Sequence, residues 1–354
     1  MRQIKVAVAG AGLVGRRHFE LVQASERCRL SAIIDPGPAA KEIAEAAGVP
    51  LYRSLDQLFG DCRPDGVILA TPNHLHVDQA LECIAAGVPA LVEKPVAHTL
   101  EAGERLLDAA EHGNVPLLVG HHRAHSPILA KAREVIRQGR LGKIVSVVGS
   151  AVFYKPDDYF DIAPWRRQPG GGPILINMIH EVGNLRSLCG EIVAVQALSL
   201  NVTRGFPVED TVAINLRFEN SALGTFVLSD TAASARSWEQ TSQENKSYPT
   251  YDDEDCYVIV GDLGSLSVPT MRIKSYARME DRSWWKPFQT AVEEIERTDP
   301  LERQLAHFCD VIEGTAQPYV TVFDGLQNLR ITEAIAEAAR SGTIVATARV
   351  STTV

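Results

Sequence analysis

Three groups of residues in this 354-residue chain have types and spacings that suit chemistry. The first is Gly10-Ala11-Gly12-Leu13-Val14-Gly15, which follows an apolar run holding Ile4, Val6 and Val8 and precedes helix-forming residues. Glycines at these places permit a tight turn, close approach of a pyrophosphate to the backbone, and tight packing of helix on strand. Free N–H groups at the start of the helix then face the phosphate charge. Asp35 follows Gly10 by twenty-five residues, where a carboxylate accepts hydrogen bonds from the ribose hydroxyls of an adenosine. A carboxylate there repels a 2′-phosphate, so the spacing predicts NAD rather than NADP. The second group occupies two loops, Thr71-Pro72-Asn73-His74-Leu75-His76 and Glu93-Lys94-Pro95. The third is a polar stripe, Asn177, His180 and Asn184, at helical i, i+3 and i+4 steps.

These residues need elements to hold them. After the strand at Ile4, the pattern predicts a strand Arg29–Ile34 and a helix Ala39–Ala47. A weak strand Leu51–Arg53 and a fourth strand Gly66–Ala70 come next. Helix Val77–Ala86 leads to strand Val88–Val92, and helix Leu100–His112 to strand Pro116–Val119. Regular alternation of strand and helix over residues 1–120 predicts an α/β domain built on a parallel sheet with helices on both faces. Both loops then fall at the carboxyl ends of strands, where such sheets bind ligands. His74 and His76 have no clustered carboxylate or thiol to complete a metal set, so no metal is expected.

Beyond residue 120 the pattern changes. Pro127–Gln138 reads as a helix and Lys143–Phe153 as a strand. A loop Tyr154–Pro169 leads through Gly170-Gly171-Gly172-Pro173 into a helix ending near Leu188, with Gly190 just past its end. Strands are expected at Ile192–Asn201, Thr211–Glu219, Leu223–Leu228, Cys256–Val260 and Ser265–Val268. Their period-two alternation and tight turns predict antiparallel pairing with one covered face. The stretch Ala232–Asp255 reads as an ordered irregular loop, a lid or a subunit contact, and two helices, Leu301–Glu313 and Phe323–Ala339, close the chain. Arg123, Arg166 and Tyr154 lie in segments rich in charged and planar groups. Arginine donors match both oxygens of a carboxylate, so these three are candidates to hold a polyhydroxy acid, a solvated loop being the alternative for each.

Composition narrows the function. The chain is 45% hydrophobic and 22% charged with net charge −9, values of a globular protein without a basic face for nucleic acid. No apolar run reaches membrane-spanning length, and a strand begins too early to leave room for a signal peptide. Six scattered cysteines without a CxxC pair suit a reducing compartment, so a cytoplasmic location is expected.

GAGxxGxxH, TPNHLH and EKP, in this order, resemble the glucose–fructose oxidoreductase/inositol dehydrogenase (Gfo/Idh/MocA) family. The resemblance implies an N-terminal Rossmann domain, residues 1–120, that binds NAD(P). It also implies a C-terminal α/β domain, residues 121–354, with an open, mostly antiparallel sheet that carries substrate binding and oligomerisation as a homodimer or homotetramer. The implied activity is oxidation or reduction of a sugar, polyol or sugar acid. A cis-dihydrodiol dehydrogenase, whose apolar substrate would suit Trp165 and Trp238, and a nicotinamide-binding sensor without turnover are the rival readings. The cofactor is expected at Gly10, Gly12, Leu13, Val14, Gly15, Asp35, Thr71, Pro72, Asn73, His76, Glu93 and Lys94. The glycine-rich entry and following helix resemble the family's second catalytic motif, and His180 matches its histidine. Ile176 and Gly183 stand where the family often has aspartates, which reduces the proton-handling set to Lys94 and His180 and leaves Asn177 to orient substrate. Which of Lys94 and His180 is the base stays open.

Overall fold

The computed structural model of the chain describes residues 3–347. It forms two compact units, one running from the N-terminus to His122 with Pro300–Leu329, the other comprising Arg123–Asp299 and the segment from Arg330 on. The expected division at residue 120 falls close to the first crossing, but the second unit is not continuous, because Pro300–Leu329 returns to the first.

The first unit contains β1 (Ile4–Ala9), α1 (Leu13–Ala24), β2 (Cys28–Ile34), α2 (Ala40–Ala47), β3 (Leu51–Tyr52) and α3 (Leu55–Asp61). It continues with β4 (Gly66–Leu69), α4 (His76–Ala86), β5 (Ala90–Glu93), α5 (Leu100–His112) and β6 (Leu117–Gly120). Its six strands are all parallel in the order β3-β2-β1-β4-β5-β6. That is the dinucleotide-binding order, with the strand sequence reversing between β1 and β4. The central strands are buried on both faces, which is why they read as unbroken apolar runs rather than alternating ones. Helix α3 escapes the sequence pattern because it buries only Leu55 and Leu58. Its signal is the cap: Ser54 Oγ accepts from Gln57 N–H, and Gln57 Oε1 accepts from Arg53 N–H.

The second unit opens with α6 (Pro127–Arg137), capped by Ser126 Oγ and with proline at its first position, and β7 (Ile144–Val152). Next come α7 (Asp157–Ile162), α8 (Ile179–Cys189), β8 (Ile192–Leu200), β9 (Thr211–Phe218), β10 (Leu223–Ser229) and α9 (Trp238–Thr241). Strands β11 (Tyr257–Gly261), β12 (Gly264–Val268), β13 (Arg272–Ser275) and β14 (Gln289–Val292) follow. The described residues end with α10 (Pro300–Ile312), α11 (Val322–Ser341) and β15 (Val345–Ala346). The nine-stranded sheet has the order β14-β13-β12-β11-β7-β10-β9-β8-β15. Its neighbours are antiparallel except β7 and β10, which run parallel because β9 and β10 form a hairpin that enters beside β7 from the same end. On β9, Val212, Ile214, Leu216 and Phe218 are buried against α6, α8 and the second half of α11. The other face of the sheet leaves Val145, Val148, Leu198, Leu223 and Val227 exposed.

Two local features depart from the expected pattern. The 154–169 loop carries α7 and a 3-10 turn at Pro164–Arg167. The helix expected from Pro173 begins as a π-helical turn, Ile174–Met178, before tightening into α8. No described helix is long and apolar enough to cross a membrane.

Candidate active site

In the first unit the glycine turn joins β1 to α1. Gly10 has φ +96, and a Cβ on it would lie 2.5 Å from the Ala70 carbonyl oxygen. A Cβ on Gly15 would fall 1.9 Å from the Gly10 carbonyl oxygen, so helix and turn close only around glycine. Gly12 faces open space, and Leu13 beside it is 81% exposed despite its apolar side chain. Asp35, just beyond β2, accepts from Ala11 N–H through Oδ2 and from Gly37 N–H through Oδ1, both at 2.7 Å. The carboxylate is thereby fixed beside the glycine turn, and each oxygen keeps a lone pair for a ribose hydroxyl. Turn, open approach at Gly12 and anchored carboxylate fit a dinucleotide. Gly10, Gly12, Leu13, Val14, Gly15 and Asp35 are the residues that would hold it.

Asp35→Ser is expected to weaken NAD binding by ~1.5–3 kcal/mol, the scale of hydrogen bonds to a charged group. NADP binding should weaken less or improve, since the charge that repels a 2′-phosphate is gone. Titration of both cofactors against wild type and variant checks this, and tighter NADP than NAD binding by the wild type would refute it.

Thr71, Pro72 and Asn73 follow β4 against this turn, and the Thr71 hydroxyl donates to Gln79 Oε1 on α4. His76 and Glu93, both expected to touch cofactor, are buried and bonded within the chain. The His76 ring lies 2.8 Å from the carbonyl oxygens of both Thr71 and Pro95 and ties the two loops together. Burial lowers its pKa, and the neutral ring donates to one of the two carbonyls at a time. Glu93 Oε1 pairs at 2.8 Å with Nε2 of His18, the histidine that ends the glycine motif, and Oε2 accepts from Lys94 N–H. Burial alone would raise the Glu93 pKa, but the His18 bond and nearby positive groups hold it at about 2. Two sequence motifs far apart in the chain thus meet through one buried pair. Lys94 itself is half-buried, one residue past β5, at the same edge of the parallel sheet as the glycine turn, and its peptide bond to Pro95 is cis.

In the second unit, His180 lies in the first turn of α8 and is almost wholly buried. The polar stripe predicted along this helix divides. Asn184 points into the core and donates to the Tyr257 hydroxyl at 2.9 Å, whereas Asn177 sits half-buried on the π-helical turn. Ile174 N–H at the start of that turn donates to Glu209 Oε1. Asn177 Oδ1 accepts from Lys155 Nζ at 2.8 Å.

Arg123 is not a substrate clamp. It is 3% exposed, and its guanidinium donates to Glu181 at 2.6 Å and to both oxygens of Glu239 at 2.7 and 2.8 Å. Burial works against its charge, but the two carboxylates outweigh that and hold it firmly cationic. The carboxylate that the sequence assigns to a ligand comes from the chain itself. Glu181 also accepts a short bond from the Tyr257 hydroxyl. Arg123→Met is therefore expected to cost about 3 kcal/mol of stability by stranding the buried Glu181 carboxylate and taking this partner from the partly exposed Glu239. Denaturant unfolding measures this, and an unchanged midpoint with raised KM would restore the clamp reading.

Arg166 is half-buried with its guanidinium 3.7 Å over the Tyr159 ring, donating to the Tyr159 carbonyl at 2.7 Å, while Tyr154 is exposed under Arg204. Trp238 is 3% exposed, packs against Tyr257 and donates to Glu244. It belongs to the core rather than to a substrate pocket, which removes its support for an apolar diol. It also makes part of the 232–255 stretch core structure, with Tyr248 and Tyr251 left exposed.

Sequence reasoning missed Lys155, which is 8% exposed and surrounded by Phe153, Tyr159, Asn177 and Asp230. Its signal was a lysine among aromatic residues, whose ring faces favour a cation.

Residues 4–121 match the model of an oxidoreductase family with an NAD-binding Rossmann fold, and residues 129–267 match the GFO/IDH/MocA C-terminal domain. The chain is 31% identical over 194 residues to the rhizopine catabolism protein MocA of Rhizobium meliloti, a match covering 54% of this chain and 59% of that protein. It is 26% identical over 350 residues to inositol 2-dehydrogenase 2 of Saccharopolyspora erythraea, covering 96% and 94% of the two. Among solved structures, the WlbA dehydrogenase of Bordetella pertussis in complex with NADH and UDP-GlcNAcA is similar, at TM-score 0.76 and 25% identity over 98% and 99% of the chains. With an NAD-binding unit followed by the matching C-terminal domain, the chain belongs to the Gfo/Idh/MocA family of oxidoreductases.

Proposed function

We propose that this oxidoreductase is an NAD-dependent dehydrogenase acting on a secondary alcohol of a sugar, polyol or sugar acid. The observation that carries the reading is Lys94. It stands one residue past β5, at the sheet edge where the anchored Asp35 and the open glycine turn suit NAD. The nicotinamide, when bound, supplies a hydride acceptor or donor. Proton handling falls to Lys94 and His180: one takes the hydroxyl proton, and the ammonium of Lys94, if it stays charged, stabilises the developing oxyanion. Arg166 and Tyr154 are the groups left to meet substrate oxygens, with Asn177 orienting the alcohol. The relatives named for inositol and crystallised with a nucleotide sugar acid support a polyhydroxylated substrate.

The exposed apolar side chains Val145, Val148, Leu198, Leu223 and Val227 on one face of the nine-stranded sheet support a homodimer or homotetramer formed there. The six scattered cysteines without a CxxC pair support a cytoplasmic site of action. The test is turnover of a panel of polyols, sugars and sugar acids with NAD, read from nicotinamide absorbance. Reduction of NAD by one class supports the reading, and a chain that binds NADH yet turns over none overturns it.

A further inference from the structure

Asn177 stands on a π-helical turn, an arrangement that inserts extra backbone into a helix and is frequent at functional sites. Such a turn needs support, and Ile174 N–H is capped by Glu209 while Gly172 packs too closely against Glu209 and Val208 to admit a side chain. The amide at its outer edge has one internal partner among the described residues, the Lys155 ammonium at 2.8 Å. A lysine ammonium has three donors and no acceptor, so it must meet the amide oxygen and not the nitrogen. Nδ2 of Asn177 then turns away from Lys155 with both its hydrogens.

The side chain of Lys155 is not needed to hold its own backbone. Its N–H already donates to the Asp230 carbonyl at 2.8 Å, and its carbonyl accepts from Arg204 at 2.7 Å. What the ammonium does is bridge Asn177 and Asp230, whose Oδ2 lies 3.4 Å away, with Tyr159 and Phe153 ring faces at 4.9 and 5.6 Å. Burial lowers the Lys155 pKa to about 8, with Asp230 working the other way, so the group keeps its proton at neutral pH and stays a pure donor.

We propose that Lys155 is a positioning residue that holds the Asn177 amide by its oxygen, so that the Asn177 NH2 donates to the oxygen of the substrate alcohol. The proposal rests on the dehydrogenase reading and assigns the substrate side of that site a donor where an aspartate would be an acceptor. The distinction has a chemical consequence. An alcohol oxygen that accepts from Asn177 keeps its own hydrogen free to be passed to the general base. As the oxygen gains negative charge, the same N–H bond strengthens.

The experiment is a double-mutant cycle with Lys155→Met, Asn177→Leu and the double variant. It measures kcat and KM for a substrate that the wild type oxidises, with NADH affinity and melting temperature as controls. Each single variant is expected to lose about 10–100-fold in kcat/KM, the scale of one hydrogen bond to a developing charge, with NADH affinity unchanged. The double variant should fall no more than about threefold below the poorer single one, because the two residues act through one amide. Losses that multiply, or Lys155→Met with wild-type kcat/KM, overturn the proposal while leaving the dehydrogenase reading intact. A wild type that turns over nothing in the panel overturns that reading and this proposal with it. Should Lys155→Met melt below the assay temperature, Lys155→Leu, which also lacks a donor, takes its place in the cycle.

Discussion

His180→Ala is expected to lower turnover by ~10²–10⁴, the usual cost of losing a positioned proton-transfer group. The structure fixes the backbone that carries the ring. The next residue in α8, Glu181, is held by Arg123 and by the Tyr257 hydroxyl, and Met178 and Ile179 before it are buried in the core. Backbone around residue 180 therefore has little freedom, and alanine removes the imidazole without moving the helix. NAD affinity should change little, because none of the residues expected to hold the dinucleotide lies on α8. Steady-state kinetics with a calorimetric NAD titration checks both halves. Wild-type turnover in His180→Ala, or a loss explained wholly by a lower melting temperature, would refute the assignment.

Lys94→Met is expected to lower kcat by ~10²–10³ with NAD affinity nearly unchanged, since a charge at the reacting oxygen is felt mainly in the transition state. The position is rigid for reasons visible in the fold. β5 is buried throughout, Lys94 N–H is tied to Glu93 Oε2, and the other oxygen of Glu93 is paired with His18 on α1. A lysine that only balanced charge would behave differently, giving lower thermal stability and weaker NAD binding at nearly normal turnover. Single-turnover hydride transfer, the NAD dissociation constant and the melting temperature of one purified variant separate these outcomes. Wild-type hydride transfer ends the catalytic assignment.

The parts of the fold written in local periodicity were legible from the sequence. Strand–helix alternation, the glycine turn and Asp35 specify their own geometry, and β9 shows its buried face in every second residue. What escaped depends on partners distant in the chain. Arg123 reads as a free clamp until Glu181, fifty-eight residues on, and Glu239, farther still, are folded beside it. Nothing in the spacing shows that Glu93 pairs with His18, and Trp238 reads as a pocket wall until it packs on Tyr257. The π-helical turn leaves no trace in side-chain spacing, because Leu175, Met178 and Ile179 would form an apolar stripe in a regular helix too. Strands β13 and β14 were missed for a different reason. β14 is an edge strand exposed along its length, and β13 beside it is four residues long with only Ile273 buried, so neither carries an apolar run.

The return of Pro300–Leu329 to the first unit bears on how the chain is made. Within that unit, Val119 N–H donates to the Val320 carbonyl, and Gly66 and Gly103 are glycines that leave room for Ile312 and Leu326. A nascent chain that has emerged only as far as residue 122 lacks all of these partners and presents bare apolar patches on β4, α5 and β6. The second unit waits as well, since Ile331, Ala334, Ile335 and Ala338 of α11 belong to its core. Synthesis from the N-terminus normally lets the first domain finish first. Here both units reach completion only after residues 300–338 leave the ribosome, so a truncation that removes residues 300–329 damages the NAD-binding unit as surely as the other.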